Sequence, residues 1–345
     1  MISKKRHSLY WVFVAGVAII TSFQCESMIG LESADGTKNT VDIDDRTDTH
    51  YPGQEKFGAL YYNGFIETVN DTLSTFGIDV DNGSYTFARK KINSGVIPDP
   101  ASVRVEEYIN YFNQSYPEPP SSHPFSVTTT SGASLFRSDR YHILRIGIKG
   151  QTLSQSKTKK KNLTFLVDVS GSMESRMTLV TQCLFILVDS LKNGDILSVC
   201  TYAGQVNTVL NPTPITQGDK PGIKNKIAGL YSGGSTAMES GIINAYNLNQ
   251  RSFIEDGINR VIICSDGDAN VGNTTHNQIL QQIQSKVDEG ITLTTLGFGT
   301  GNYNDNLMEQ LANKGNGNYY YIDSQEEGVR LFGQRLSGCM DIVAK

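Results

Sequence analysis

A chain of 345 residues and 37.9 kDa has room for about two domains at roughly 100–200 residues each. An apolar share of 38%, with 33 Gly, supports a sizeable core and excludes a mainly disordered, collagen-like or multi-span membrane protein. The formal net charge of −5, with no long basic block, argues against nucleic acid as a partner, and five Cys are too few for a disulfide-dense scaffold.

The first 25 residues read as a targeting segment. Lys4, Lys5 and Arg6 precede an uncharged apolar run, Leu9 to Ile20, which suits a signal-peptide core and falls short of the roughly 20 residues of a spanning helix. Cys25 closes the segment, and the pattern resembles a bacterial lipoprotein signal in which the Cys becomes the lipidated first residue. Gln24 stands where such signals carry a small residue, so an ordinary signal peptide or an uncleaved anchor is the alternative. Either way the remainder is expected outside the cytoplasm, and under the first reading it is held at the membrane by a lipid anchor. Residues 26–56 are polar, without helical or strand period, and read as a flexible tether.

Residues 57–150 form a smaller α+β region. The spacing predicts a strand over 74–81 and a helix over 83–95 stopped by Gly95. A second helix is expected behind Asp99 as N-cap and Pro100 at the first helical position, with Val105, Tyr108, Ile109 and Phe112 on one face. Two strands follow at 125–130 and 141–148. The stretch DVDNGS at 79–84 reads as a capping turn, since it lacks the closing acid of a calcium loop.

Residues 160–340 alternate strand and helix. NLTFLVDVS is a buried strand entering a loop; MTLVTQCLFILVDSLKNG is a helix apolar nearly all round and ended by Gly194; DILSVCTY and QVNTVL are strands joined by a turn at Ala203-Gly204. RVIICSD, ITLTTLGFG and NYYYID are three more strands, with helices near 275–288 and 304–313 and a last helix at about 324–337. The fold class expected is α/β, a doubly wound, mostly parallel sheet with helices on both faces.

Candidate chemistry gathers at strand ends. The first strand of this part delivers Asp168, Ser170 and Ser172, which alternate and can point the same way from an extended loop. A carboxylate with two hydroxyls is an all-oxygen set that suits a hard cation such as magnesium. RVIIC delivers Ser265-Asp266-Gly267-Asp268 at the same end of the sheet, and SGGST at 232–236 opens a helix and offers Thr236.

FLVDVSGSM, SGGSTAM, VIICSDGDANVG and the closing strand GNYYYID occur in the order of the von Willebrand factor type A family, which the chain resembles over roughly 160–340. The resemblance implies a Rossmann-like fold and a metal-ion-dependent adhesion site. Ser170, Ser172 and Thr236 would supply hydroxyls, Asp168 and Asp266 would act directly or through water, and the ion would be magnesium or manganese. Asp268 has no assured place in that motif. STFGIDVDNGSY and VRVEEYINYF are similar to the segment preceding this domain in bacterial cell-envelope members. Those relatives continue past the final helix, so the strands at 125–148 are expected to lack partners if this chain is a fragment.

Rival chemistries fit less well. An aspartyl phosphatase needs a second acid where Ser170 stands, a serine hydrolase needs G-x-S-x-G and a late His, and SGGST lacks the G-K-[ST] ending of a phosphate loop. Cys183, Cys200 and Cys264 fall in core elements and read as buried free thiols, and Tyr319 to Tyr321 as strand packing. The expectation is a non-enzymatic envelope module that captures a protein ligand through an exposed Asp or Glu, of open oligomeric state. The alternative is an assembly component whose metal only stabilises.

Overall fold

The computed structural model describes residues 14–17, 55–58, 64–78, 80–135, 141–152, 159–268 and 276–334. Cys25 and almost all of the expected signal and tether lie outside them. Within the apolar run Leu9 to Ile20, Val14–Val17 forms strand β1.

The expected strand at 74–81 is absent from the described residues there, which are irregular. Helix α1 follows at Gly83–Asn93, opened by Asn82, whose side chain makes no cap bond, so the capping role expected of this turn is not realised. Asp99 does cap, accepting from Ala101 N at 2.8 Å, but what it caps is a 3-10 turn over Pro100–Ser102. Helix α2, Val105–Tyr111, starts separately after an extended Arg104. Its expected apolar face is only half-buried, Phe112 is exposed, and its one buried residue is Glu107, which Arg104 engages. Strands β2 (Phe125–Ala133) and β3 (His142–Gly150) pair antiparallel, and β1 lies on the other edge of β3, Val14 opposite Ile148 and Val17 opposite Arg145.

The α/β part begins with β4 (Lys161–Asp168), a 3-10 turn at Gly171–Arg176 and α3 (Met177–Ser190). Helix α3 stops four residues before the expected Gly194. Leu191 is already extended, and Gly194 serves the turn into β5 (Ile196–Tyr202) instead. Next come β6 (Val206–Pro214), α4 (Lys220–Ala228), α5 (Met238–Arg251), β7 (Ile258–Ser265), α6 (His276–Asp288), β8 (Ile291–Gly297), α7 (Asp305–Lys314), β9 (Tyr319–Tyr321) and α8 (Gln325–Gly328), which continues as a π-helix over Val329–Gln334. Helix α4 was not anticipated; its only buried residues, Lys220, Ile223 and Ile227, are too few to set a clear period.

The sheet order is β6-β5-β4-β7-β8-β9, parallel throughout except for the β5–β6 hairpin. Alternation along β4 shows why both faces carry helices. Leu163, Phe165 and Val167 point to one core with α3 and α4, while Leu166 points to the other with α5, α6 and α7. The chain runs outward from β4 to β5 on one side and resumes at β7 on the other. The loops after β4 and β7 therefore diverge and leave a crevice at their carboxyl ends.

The front region covers the β9 edge. Thr86 Oγ1 donates to Tyr321 O at 2.7 Å, and Tyr319 N donates to Asp81 Oδ1 at 3.0 Å, so side chains take the edge groups that a further strand would have paired. That is why 74–81 adds no strand to this sheet: α1 occupies the place. Gly83 permits the approach, since a Cβ there would lie 2.2 Å from the Tyr319 ring. Phe87 packs with Tyr303, Met308, Ala312, Tyr319 and Tyr321 in a third core cluster.

Candidate metal centre

Asp168 is the last residue of β4 and fully buried. Its Oδ1 accepts from Ser170 N at 2.9 Å, which turns the chain and brings Ser170 and Ser172 to one side, their Oγ atoms 3.1 Å apart. Its Oδ2 accepts from Ser265 Oγ at 2.8 Å and from the Tyr202 hydroxyl at 2.9 Å, and that hydroxyl also lies 3.0 Å from Ser265 Oγ. The ends of β4, β5 and β7 are thus locked together beneath the crevice. Three contacts occupy the carboxylate and leave an acceptor site on Oδ1 for a water or an ion. Burial pushes the Asp168 carboxyl above its usual range, against the pull of its hydrogen bonds to Ser170 and Ser265, and the neighbouring Asp266 pushes the same way. Burial and Asp168 together hold the Tyr202 hydroxyl well above the ordinary tyrosine value.

Backbone bonds join the second loop to the first. Gly233 N donates to Val169 O at 2.7 Å and Gly171 N to Gly234 O at 3.3 Å, while Ala237 N, next to Thr236, donates to Ala203 O at 2.9 Å. Thr236 is half-buried at the entry to α5. On the third loop Asp266 is fully buried. Its Oδ1 accepts from Asp268 N at 3.0 Å and its Oδ2 from Asn302 Nδ2 at 3.3 Å, an amide that also reaches Asp268 Oδ2 at 3.0 Å. All five sequence-derived residues therefore lie on three loops tied to one another at the same end of the sheet. Reasoning from sequence placed Ser265 in the cluster after RVIIC without giving it a role, and missed Tyr202, Arg176 and Asn302. Tyr202 stood at the end of a strand already identified, and its position beside the strand that ends in Asp168 is its signal. Asn302 follows a strand with no motif and carried no signal.

Whether this set fits a divalent cation can be asked of the donors themselves. Among the described residues no group of three or more His, Cys, Asp or Glu is placed to hold a metal, so any ion here depends on hydroxyls. At magnesium–oxygen bonds of 2.0–2.1 Å, adjacent ligands of an octahedron stand about 2.9 Å apart. The 3.1 Å between Ser170 and Ser172, a hydrogen bond between the two hydroxyls, lies close to that spacing.

The von Willebrand factor type A domain family matches residues 162–334, half of the chain, and a von Willebrand factor family segment matches residues 51–144. The chain is 33% identical over 304 residues to the uncharacterized protein YfbK of Escherichia coli (strain K12), an alignment covering 85% of this chain and 52% of YfbK. It is 27% identical over 179 residues to inter-alpha-trypsin inhibitor heavy chain H3 of Homo sapiens, covering 48% of this chain and 20% of that protein. The chain thus spans about half of YfbK or less of such relatives. Among solved structures, a von Willebrand factor type A protein from Catenulispora acidiphila aligns with a TM-score of 0.47 at 16% identity, over 66% of this chain and 51% of that one.

Proposed function

Because this chain belongs to the von Willebrand factor type A family, we propose that it is a protein-binding module of the bacterial cell envelope that captures a ligand carboxylate through a divalent cation, without a catalytic step. Ser170, Ser172 and Thr236 would present neutral hydroxyls to magnesium or manganese, with Asp168 and Asp266 behind them acting directly or through water. A bound divalent ion supplies positive charge at a position that a partner's Asp or Glu can fill. Neutral donors suit this task, because they leave the ion's charge largely uncompensated. The chain's own net charge of −5 otherwise repels an acidic partner, which makes the cation the switch. The observation that carries the reading is the pair of hydroxyls 3.1 Å apart over a buried, internally satisfied carboxylate.

The internal satisfaction also favours capture over mere stabilisation. Asp168 already has Ser170, Tyr202 and Ser265 as partners, and backbone bonds already close the loops. We further propose that residues 1–25 are a lipoprotein-type signal ending at Cys25, that 26–56 link it to the folded part, and that 57–150 and 160–340 are the two structural regions. No helix among the described residues is long and apolar enough to cross a membrane.

The test uses the chain with magnesium, manganese or chelator. A ligand that binds only the folded state raises its melting temperature by mass action. Either metal is expected to raise it, with the rise absent in Asp168→Ala. In pull-downs from envelope extract, partners with exposed carboxylates are expected with metal and lost with chelator or in Ser172→Ala and Thr236→Ala. Equal metal shifts in wild type and Asp168→Ala would refute the site. A metal shift with capture indifferent to chelator would leave the assembly-component reading in its place.

A further inference from the structure

The segment after β8, residues 299–306, touches two of the three loops of the candidate centre. Arg176, at the end of the turn that carries Ser172, donates to Ser172 O, to Thr300 O at 2.8 Å and to Asn302 Oδ1 at 3.4 Å. Asn302 in turn donates to both Asp266 and Asp268, and Asn304 N donates to Asp266 O at 3.0 Å. The fit over the guanidinium is close: Gly299 has φ +92°, and a Cβ there would fall 1.6 Å from Arg176 Nε. That Nε is buried without a hydrogen-bond partner, a cost the side chain bears while its other nitrogens span the two loops.

The other side of the same segment is held by the front region. Gly301 N donates to Glu55 Oε1 at 2.9 Å, and Glu55 is paired at 2.6 Å with Lys91 of α1. Lys56 N donates to Tyr303 O at 2.9 Å, Asn306 N donates to Lys56 O at 3.3 Å, and Phe57 packs edge-on against Phe87. Glu55 and Lys56, which the sequence placed at the end of a flexible tether, are therefore docked beside the centre.

We propose that Glu55 and Lys91 form a clamp on the 299–306 segment, and that Asn302 and Arg176 pass its position to the loops carrying Asp266 and Ser172. Glu55, Lys91, Arg176 and Asn302 are positioning residues in this scheme: they set how the hydroxyls and carboxylates are presented, and the front region thereby controls the affinity of the centre. The proposal rests on the metal-binding reading above for its consequence, while the mechanical link stands on the hydrogen bonds alone. The side-chain part of the grip is concentrated on the Glu55 carboxylate, so a single substitution can release Gly301 from it. The main-chain bonds of Lys56 and the packing of Phe57 would still hold the fold.

The test compares the full chain with Glu55→Ala, Glu55→Gln and Asn302→Ala. In metal-free protein, hydrogen exchange in Glu55→Ala is expected to quicken at 299–304 and also at 170–173, with β4 and α5 unchanged. Glu55→Gln keeps an acceptor for Gly301 N–H and is expected to recover most of the protection. In manganese titrations Glu55→Ala and Asn302→Ala are expected to bind about three- to tenfold more weakly than wild type, the size of one ordinary hydrogen bond. Faster exchange confined to 299–304, or manganese affinity equal to wild type, overturns the clamp. If wild type takes up no manganese, the metal-binding reading fails, while the exchange at 170–173 still decides whether the clamp exists.

Discussion

Tyr202 shows how a single hydroxyl serves the centre without belonging to any motif. It is fully buried at the end of β5 and points at Asp168 and Ser265 rather than into the crevice. Tyr202→Phe keeps the ring's packing and removes one hydrogen bond to a buried carboxylate, so a loss of about 1–2 kcal/mol in urea denaturation is expected. The metal-induced rise in melting temperature should survive but shrink; an unchanged stability would mean that Ser265 alone satisfies Asp168. Cys183, Cys200 and Cys264 are buried and free. Burial pushes the thiols of Cys183 and Cys200 up to about 12 and that of Cys264 higher still. Because the thiolate is the nucleophile, iodoacetamide near pH 8 should leave these three untouched in native protein and label them in urea, read by peptide mass. Native labelling of any of them would show that its core element opens readily.

Among the elements, the short strand β9 depends most on its surroundings. Three tyrosines in a three-residue edge strand give little ladder, and Thr86 of α1, Asp81 and Arg104 supply the rest. Arg104, extended just before α2, reaches back into the α/β part. It pairs with Glu107, with Asp305 at 2.6 Å and with Glu309 at 3.4 Å, and it lies over the Tyr319 ring. Its carboxylate partners and its own burial make this an interior ion network. Removing the arginine leaves Glu107 and Asp305 buried without their cation, which costs about 3–5 kcal/mol. Arg104→Ala is therefore expected to lower stability by that order and to split one unfolding transition into two, because the front region loses its main polar tie. A single transition with less than about 1 kcal/mol lost would show that Arg89, bound to Asp323 and Glu327, suffices to hold the two parts together.

For the molecule as a whole, the arrangement is a candidate binding face at the carboxyl ends of β4 and β7, with a front region braced against the β9 edge and against the 299–306 segment. Under the proposed envelope function this body is held at a membrane, with Cys25 as the proposed anchor point. Cells producing the chain should incorporate a fatty-acid analogue into it and partition it into detergent. Two or three acyl chains hold a protein stably where one holds it marginally. Cys25→Ser should release the protein or leave its precursor uncleaved; an unlabelled soluble product beginning at another residue would exclude lipidation.

The sequence alone determined the doubly wound sheet and brought forward five candidate ligands, four after strands β4 and β7 and Thr236 from the Gly-rich loop that opens α5, because these signals are local. A buried parallel strand is a continuous apolar run such as LTFLV, and a ligand loop follows directly from the strand that ends in it. It also located α1, β2 and β3 to within a few residues, since their periods are intact. What it could not determine were relations between distant residues. The stretch 74–81 has the composition of a strand, yet α1 covers the one sheet edge at hand, and only the packed structure shows this. The helix stop at Gly194 and the continuous helix behind Pro100 failed similarly. Leu191 and Arg104 are drawn into extended conformations, Arg104 by partners roughly two hundred residues away. Tyr202, Arg176 and Asn302 reached the centre through hydrogen bonds that span the fold, and Glu55 left the tether for the same reason. Spacing along a chain encodes periods and loops; which side chain meets a buried carboxylate is decided only when the strands are set side by side.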